Sequence, residues 1–356
     1  MIITDNIKWE KGNTVGIDYH DKEVRVCVLN IAGEVLGNRS CINDVFSVVE
    51  YIEQFGTVDS VAVEACNGSA NFADRLHFLT GWPVKLCHPG YVRRMKNNPD
   101  KTDKGDAQLI GDLNRVGYLP EVWLAPEPIR DLRALVRYRQ QRVELGKAIK
   151  IRIRALLRQN RVRTPSDYGL WSKKGIEWLN NLSVLPVHSG WILKCQLKEL
   201  NANAEELKEC LKRIEEATKD DVLIASLLTQ KGIGLITATI MRAEIGTFSR
   251  FKHGKQLSRF CGVTPRNASS GERQADAGLI KAGNAMLKTT IIEAAQRLVR
   301  YDQEWSQFAA RHSKNGKPKA LIIGAVANRW IRRLCYTMKA FEAQISQKVE
   351  LLQRAA

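Results

Sequence analysis

Four carboxylates are spaced along the first third of the chain as a metal-assisted phosphoryl-transfer site would need them. Asp18 ends the apolar run Thr14-Val15-Gly16-Ile17, Glu64 ends Val61-Ala62-Val63, and Asp103 and Asp106 stand three apart in Asp103-Lys104-Gly105-Asp106-Ala107. On a helix that last spacing turns both acids the same way. Four such groups gathered together would repel one another unless cations bridged them. Two magnesium ions can do this while activating a nucleophile and stabilising a leaving oxygen. A single acid at a strand end is ordinarily a turn or capping residue; it is the combination, in this order, that points to metal. Asp21, Asp100 and Asp112 are alternatives that fit one cluster less well.

A second chemistry is written far downstream. Thr264-Pro265-Arg266-Asn267-Ala268-Ser269-Ser270-Gly271 places hydroxyls beside glycine in a segment rich in turn formers, which alone would mean a surface turn. Arg266, Arg273 and Lys281 lie close by in sequence, and a phosphoryl-transfer site needs such charges to offset those of the reacting group. A serine also needs a base or metal to lose its proton. No histidine partner is evident nearby, which leaves a carboxylate-bound metal as activator.

The elements that must position these groups follow from periodicity. Thr14–Asp18, Glu23–Asn30 and Val35–Cys41 read as strands, with Ala32-Gly33 turning between the second and third. A helix at Val45–Phe55, a strand at Val58–Glu64, a helix at Ala70–Leu79 and a strand at Pro83–Cys87 come next. Three antiparallel strands followed by alternating helices and strands is the order of a ribonuclease-H-like domain, assigned to residues 1–125. Residues 126–220 read as two long helices broken near Thr164-Pro165, a helical hairpin or coiled-coil arm. Twelve arginines and lysines crowd between Arg130 and Arg163, and Arg152, Arg154 and Arg158 are candidates for phosphate contact.

The last region, 221–356, reads as mostly helical. Lys231-Gly232-Ile233-Gly234 resembles the turn of a helix-hairpin-helix, which offers backbone N–H groups to a phosphate, although a simple helix break has the same pattern. Helices are expected at Ala285–Arg300 and Ala320–Lys339. The fold class is therefore α/β plus α.

Composition supports a polyanionic partner. The 356 residues carry a formal net charge of +17 with 44% hydrophobic and 26% charged residues, ordinary for a globular chain except in its charge. The eight cysteines show no C-x-x-C pair and no zinc spacing, so they read as reduced, mostly buried thiols. Neither a leader nor an apolar run long enough for a bilayer is evident, so a cytoplasmic protein acting on bacterial nucleoid DNA, with no membrane partner, is expected.

These residues together resemble the DEDD transposases of insertion-sequence elements, which are bridge-RNA-guided serine recombinases, and their relatives the pilin-gene-inverting DNA invertases. The likeness runs through Asp18, Glu64 and Asp103-x-x-Asp106-Ala107, the arm, Phe260-Cys261-Gly262-Val263-Thr264-Pro265, Ser270-Gly271 and Lys281-x-Gly283-Asn284. It implies a RuvC-like domain whose four acids hold magnesium, with Ser270 as the nucleophile that becomes joined to DNA. It also implies donor and target DNA, a structured noncoding guide RNA, and a dimer-to-tetramer in which one subunit's acids meet another's serine. Ile280, where a small hydroxyl residue is expected, and Lys288, where arginine is, depart from the pattern. A metal-dependent Holliday-junction-type nuclease, a DNA-only invertase and a non-enzymatic nucleic-acid-binding protein are the competing readings.

Overall fold

A computed structural model describes residues 12–95, 103–267 and 276–355, and divides the chain into two compact units that meet between Glu127 and Pro128. The first unit is built on a six-stranded sheet of order β3-β2-β1-β4-β5-β6. Its strands are β1 (Asn13–Tyr19), β2 (Glu23–Leu29), β3 (Val35–Ile42), β4 (Val58–Glu64), β5 (Val84–Cys87) and β6 (Glu121–Val122). β1 pairs antiparallel with β2 and parallel with β4, and β4 pairs parallel with β5. This is the order and direction of a ribonuclease-H-like sheet. The two-residue β6 is too short to leave a periodic signal and was not expected.

Period-2 alternation sorts the strand side chains onto two faces. Val15, Ile17, Val24, Val26, Val28, Val61 and Val63 pack with α1 (Val45–Glu53) and α2 (Ser69–Thr80). Asp44 caps α1 by accepting from Ser47 N–H, and Gly81 ends α2 in the left-handed conformation. The opposite face carries Gly16, Ala62 and Leu29, and is covered by α4 (Asp103–Arg115), which follows the single turn α3 (Pro89–Val92). Ala107 and Ile110 are fully buried there.

The second unit starts with α5 (Glu127–Gln159), which runs beside α7 (Val187–Thr218) to form the arm. Ile149, Ile153 and Leu157 of α5 share a core with Leu193, Leu197 and Leu200 of α7. The stretch between them was expected to be loop, but α6 (Lys173–Asn180) forms there. Ser172 caps it by accepting from Gly175 N–H, and Leu179 plugs the arm core. At the other end Leu132, Val136 and Ile214 of α5 and α7 join the core of the C-terminal helices. Those are α8 (Val222–Leu228), α9 (Leu235–Ile245), α10 (Gly254–Phe260), α11 (Ala285–Tyr301), α12 (Gln303–Lys314) and α13 (Lys319–Ala355), with a small hairpin of β7 (Pro265–Asn267) and β8 (Asp276–Leu279). α13 outruns its expected end at Lys339. No helix among the described residues is long and apolar enough to cross a membrane. All eight cysteines are free, with Cys66 and Cys195 exposed.

Candidate functional site

Asp18 and Glu64 are placed by strand register. The parallel pairing of β1 with β4 runs to Ile17 opposite Val63, so the next residue on each strand is one of the two acids. Both lie at carboxyl ends of central strands, on the face that α4 covers, because Asp18 is two residues from Gly16 and Glu64 two from Ala62. Asp18 is only 3% exposed, and His20 Nε2 stands 3.4 Å from its Oδ2. The neighbouring thiols report the closeness of the pair. Burial, then the Glu64 and Asp18 charges, push Cys87 up to about 12. Burial and the same two carboxylates raise Cys66, with Glu64 the larger of the two charges. Sequence reading missed His20 and Cys66, each two residues past an acid, and Cys87, which the sheet brings opposite Glu64.

α4 reaches these strand ends because two glycines let it lie against the backbone. A Cβ on Gly16 would fall inside the Ala107 carbonyl and the Gly111 amide, and one on Gly111 would come 2.9 Å from Leu29 Cδ1. The start of the helix is tied to the sheet edge by Asn38, whose Nδ2 donates to the Lys104 carbonyl at 3.0 Å. Asn38 is itself held by Arg25, which donates to its side-chain oxygen at 2.7 Å and its carbonyl at 2.8 Å. Asp106, half-buried, is adjacent to Ala107 at the Gly16 contact. Asp103 is the first residue of α4, one turn before Ala107, and its side chain lies outside the described residues. Asp112, one of the alternatives, is instead engaged by Arg115 at 3.0 Å.

A side chain at position 16 must therefore displace α4. Gly16→Val is expected to destabilise the first unit by at least about 2 kcal/mol through overpacking, and to reduce any reaction that uses Asp106. Urea unfolding of the variant beside Gly169→Ala, where a Cβ meets nothing within 4 Å and φ is not positive, checks the site specificity of the loss.

The donor set suits a hard divalent cation. Asp18 and Glu64 offer carboxylate oxygens in a largely buried place, and the helix bearing Asp103 and Asp106 packs on the same face. Among the described residues no group of three or more His, Cys, Asp and Glu side chains is drawn close enough to hold a metal ion. The fourth acid is outside that set, and carboxylates without a cation between them gain by standing apart.

In the second unit the two glycine-bearing loops of the C-terminal motif are folded onto each other. Gly262 and Gly283 have φ of +72° and +119°, which side chains rarely adopt, and a Cβ on Gly283 would come 3.0 Å from Gly262 Cα. Asn284 N–H donates to the Phe260 carbonyl at 3.1 Å, and Ile280 N–H to the Thr264 carbonyl at 3.0 Å. The Asn284 side chain caps α11 by accepting from Leu287 N–H. Its Nδ2 donates at 2.7 Å to Glu244, which Arg137 grips through both oxygens at 2.8 and 3.0 Å. This base carries β7 and β8, the strands on either side of residues 268–275. Ser269, Ser270, Gly271 and Arg273 lie outside the described residues. Arg266 and Lys281 are exposed. Ile280, the first departure, is 8% exposed and so occupies an apolar position, while the second, Lys288, donates through Nζ to the Ile280 carbonyl at 3.3 Å.

Comparison with known proteins decides what carries this geometry. Residues 15–161 match the DEDD_Tnp_IS110 transposase model, and residues 225–310 match Transposase_20, the transposase IS116/IS110/IS902 family. The chain belongs to the IS110/IS116 family of DEDD transposases. It is 26% identical over 346 residues to the "Transposase for insertion sequence element IS1111A" of Coxiella burnetii, covering 93% of this chain and 87% of that one. It is 27% identical over 287 residues to the "Probable family 20 transposase" of Pseudomonas aeruginosa, covering 77% and 82%. With the "Transposase for insertion sequence element IS1328" of Yersinia enterocolitica it shares 26% over 243 residues, covering 66% and 70%. Membership of this family implies an enzyme that cuts and rejoins DNA.

The transposase's basic residues divide into used and open charges. Arg133, Arg137 and Arg142, within the run expected to face nucleic acid, have partners inside the protein: the first two meet Glu244, although Arg137 stays exposed, and Arg142 donates to Asn203 at 3.0 Å. Burial lowers the pKa of Arg133. Arg152, Arg154 and Arg158 are exposed, with Arg152 3.5 Å from Glu199 and Arg154 5.5 Å above the Trp171 ring. In the α8–α9 turn Lys231 pairs with Asp302 at 3.0 Å, and their hydrogen bond holds that carboxyl below its ordinary range. The Gly232 carbonyl accepts from Arg297 at 3.1 Å. Gly234 caps α9 with no side-chain hydrogen bond, so the first-turn amides lack a side-chain acceptor there.

Proposed function

We propose that this transposase is an RNA-guided recombinase that cuts and rejoins donor and target DNA through a covalent phosphoserine at Ser270. The observation carrying this reading is the base beneath residues 268–275: two motif loops far apart in sequence lock together through Gly262, Gly283 and Asn284 and present two paired strands around the serine segment. A turn without a task would need no such support. Assembly of the reaction site from the acids of one copy and Ser270 of another, in a dimer or tetramer, is part of the proposal.

In the first step the Ser270 oxygen bonds to a DNA phosphorus, the bond from phosphorus to one bridging DNA oxygen breaks, and that oxygen leaves as a hydroxyl. The serine proton passes to a carboxylate oxygen of the acidic set and from there to the departing oxygen. Arg266, Arg273 and Lys281 offset the phosphate charge. Magnesium, when held by Asp18, Glu64, Asp103 and Asp106, would supply the charge that steadies the phosphate oxygens. Rejoining is the reverse with a new DNA hydroxyl. The phosphoserine conserves the energy of the broken diester, so no ATP is needed, and the sequence contains no G-x-x-x-x-G-K-[ST] loop. Base pairing by the guide RNA would read sequence while the basic protein holds backbone.

The deciding experiment incubates the full-length protein with magnesium and DNA bearing the element ends and a target, with and without RNA transcribed from the flanking DNA. Samples are then denatured and examined for DNA attached to protein. An adduct that requires the RNA is expected. An adduct formed equally without RNA would make the protein a DNA-only invertase, and cleavage without any adduct a metal-dependent junction nuclease.

The arm contributes affinity in this scheme, not sequence choice. Changing Arg152, Arg154 and Arg158 together to alanine should weaken binding to all DNA sequences alike and flatten the salt dependence by about 1 per lost phosphate contact. Fluorescence anisotropy with two unrelated duplexes over a salt series measures both. A loss confined to one sequence would assign this face to base reading instead.

A further inference from the structure

The elbow between α12 and α13 carries charge that no internal partner uses. From Trp305 to Phe341 the chain has eight arginines and lysines and not one aspartate or glutamate. Some of the eight have internal tasks: Arg333 pairs with Glu304, and Lys339 donates to the Phe251 carbonyl at 2.9 Å. Arg311, Lys314, Lys317, Lys319 and Arg329 are exposed and form no ion pair among the described residues. The backbone that holds them is fixed. Gly316 N–H donates to the Ser313 carbonyl at 2.9 Å and Lys317 N–H to the His312 carbonyl at 3.2 Å, closing α12. Ile322 N–H donates to the Pro318 carbonyl at 3.1 Å, opening α13.

The side chains are organised too. The Arg329 guanidinium lies 4.8 Å above the Phe308 ring, and His312 packs edge-on to the same ring at 4.4 Å between centroids. His312 Nδ1 is buried without a hydrogen-bond partner. Burial, and then the charges of Lys317, Arg329 and Arg311, hold its imidazole below the ordinary pKa, which places these cations close around one point. Like charges gathered without a counter-ion oppose one another, and an outside anion would relieve them.

We propose that this elbow is a docking surface for the phosphate backbone of duplex DNA, made by residues other than those of the arm and of β7 and β8, although α13 reaches the base of β7 through Asn328, which donates to the Val263 carbonyl at 3.1 Å. A duplex fits better than an unpaired strand because between Trp305 and Trp330 no large aromatic ring is exposed for bases to stack on: Trp305, Phe308 and Trp330 are buried and the exposed large apolar side chain is Leu321, the exposed Tyr336 lying further along α13. The surface would position DNA without reading it, as backbone contacts do. It rests only on the DNA substrate that the family implies, and stands whether or not Ser270 is the nucleophile.

The test measures binding of the full-length protein to a random-sequence duplex by anisotropy over a range of salt. K314A/K317A/K319A should lower affinity about tenfold or more at moderate salt and reduce the slope of log affinity against log salt by about 2 to 3. The charge-preserving K314R/K317R/K319R should bind as the parent does, and both should melt at the parent's temperature, since the three lysines are exposed. An unchanged slope in the alanine variant would overturn the proposal. So would a greater loss for single-stranded DNA or a hairpin RNA than for the duplex, which would make the elbow an RNA or single-strand surface. Covalent adduct formation, scored separately, tells failure of this surface from failure of the serine chemistry.

Discussion

Asp18→Asn and Glu64→Gln should each lower DNA cleavage by about a thousandfold or more, corresponding to about 4 kcal/mol of lost transition-state stabilisation. Each replacement keeps the shape of the side chain, which matters most at Asp18, 3% exposed and flanked by packed strands. What it removes is a negative charge at the carboxyl ends of two adjacent parallel strands, where a cation would be shared. Binding to DNA should survive nearly intact, because affinity comes from the basic surface and not from acids. Magnesium offers an independent readout: the parent should gain thermal stability as the ion is added, and the Asp18→Asn protein should gain less. Cleavage by Glu64→Gln at the parent's rate, or by the parent in excess chelator, would remove these acids from the reaction.

The strands around those acids were legible because each is a short run of β-branched residues ended by a polar one. Val24, Val26 and Val28 alternate with period 2, and the register that sets Asp18 beside Glu64 follows once β1 and β4 are taken as parallel neighbours. α4's place across the sheet was not legible. Gly16 and Gly111 look like ordinary glycines until the helix is seen pressed on β1, and Asn38, which ties down the first turn of α4, is 66 residues away from Lys104. The same limit explains the arm. Counting arginines between Arg130 and Arg163 finds a basic stretch, but only tertiary packing tells that Arg133 and Arg137 serve the buried Glu244 while Arg158 is exposed. Glu244 itself, in the apolar helix Leu235–Ile245, gave no sign that it joins α5 to the cap of α11. In the C-terminal region the motif residues were visible as Gly-Val-Thr-Pro and Lys-x-Gly-Asn. Their mutual contact depends on positive φ at Gly262 and Gly283, which composition does not reveal.

Ser270→Ala should abolish both the protein–DNA adduct and recombination while leaving duplex affinity and its salt slope unchanged. The loss is expected to be complete because in this reaction the Ser270 oxygen is the group that conserves the diester energy; water attack would release cut ends instead. Ser269→Ala is the informative neighbour: it shares the same segment and loses the same atom, yet should retain at least part of both activities. A change that merely disturbed the hairpin would affect the two positions alike. Thr264→Val offers a further contrast, since Thr264 Oγ1 lies 3.1 Å from Ser258 Oγ at the base of β7. Its loss should loosen the support and slow adduct formation without preventing it. Mass spectrometry of the adduct after proteolysis should place DNA on the peptide containing Ser270. Recombination by Ser270→Ala would put the nucleophile elsewhere, and cut but unjoined DNA from that variant would show that the acids can hydrolyse DNA alone, with the serine needed to keep the broken strand in hand.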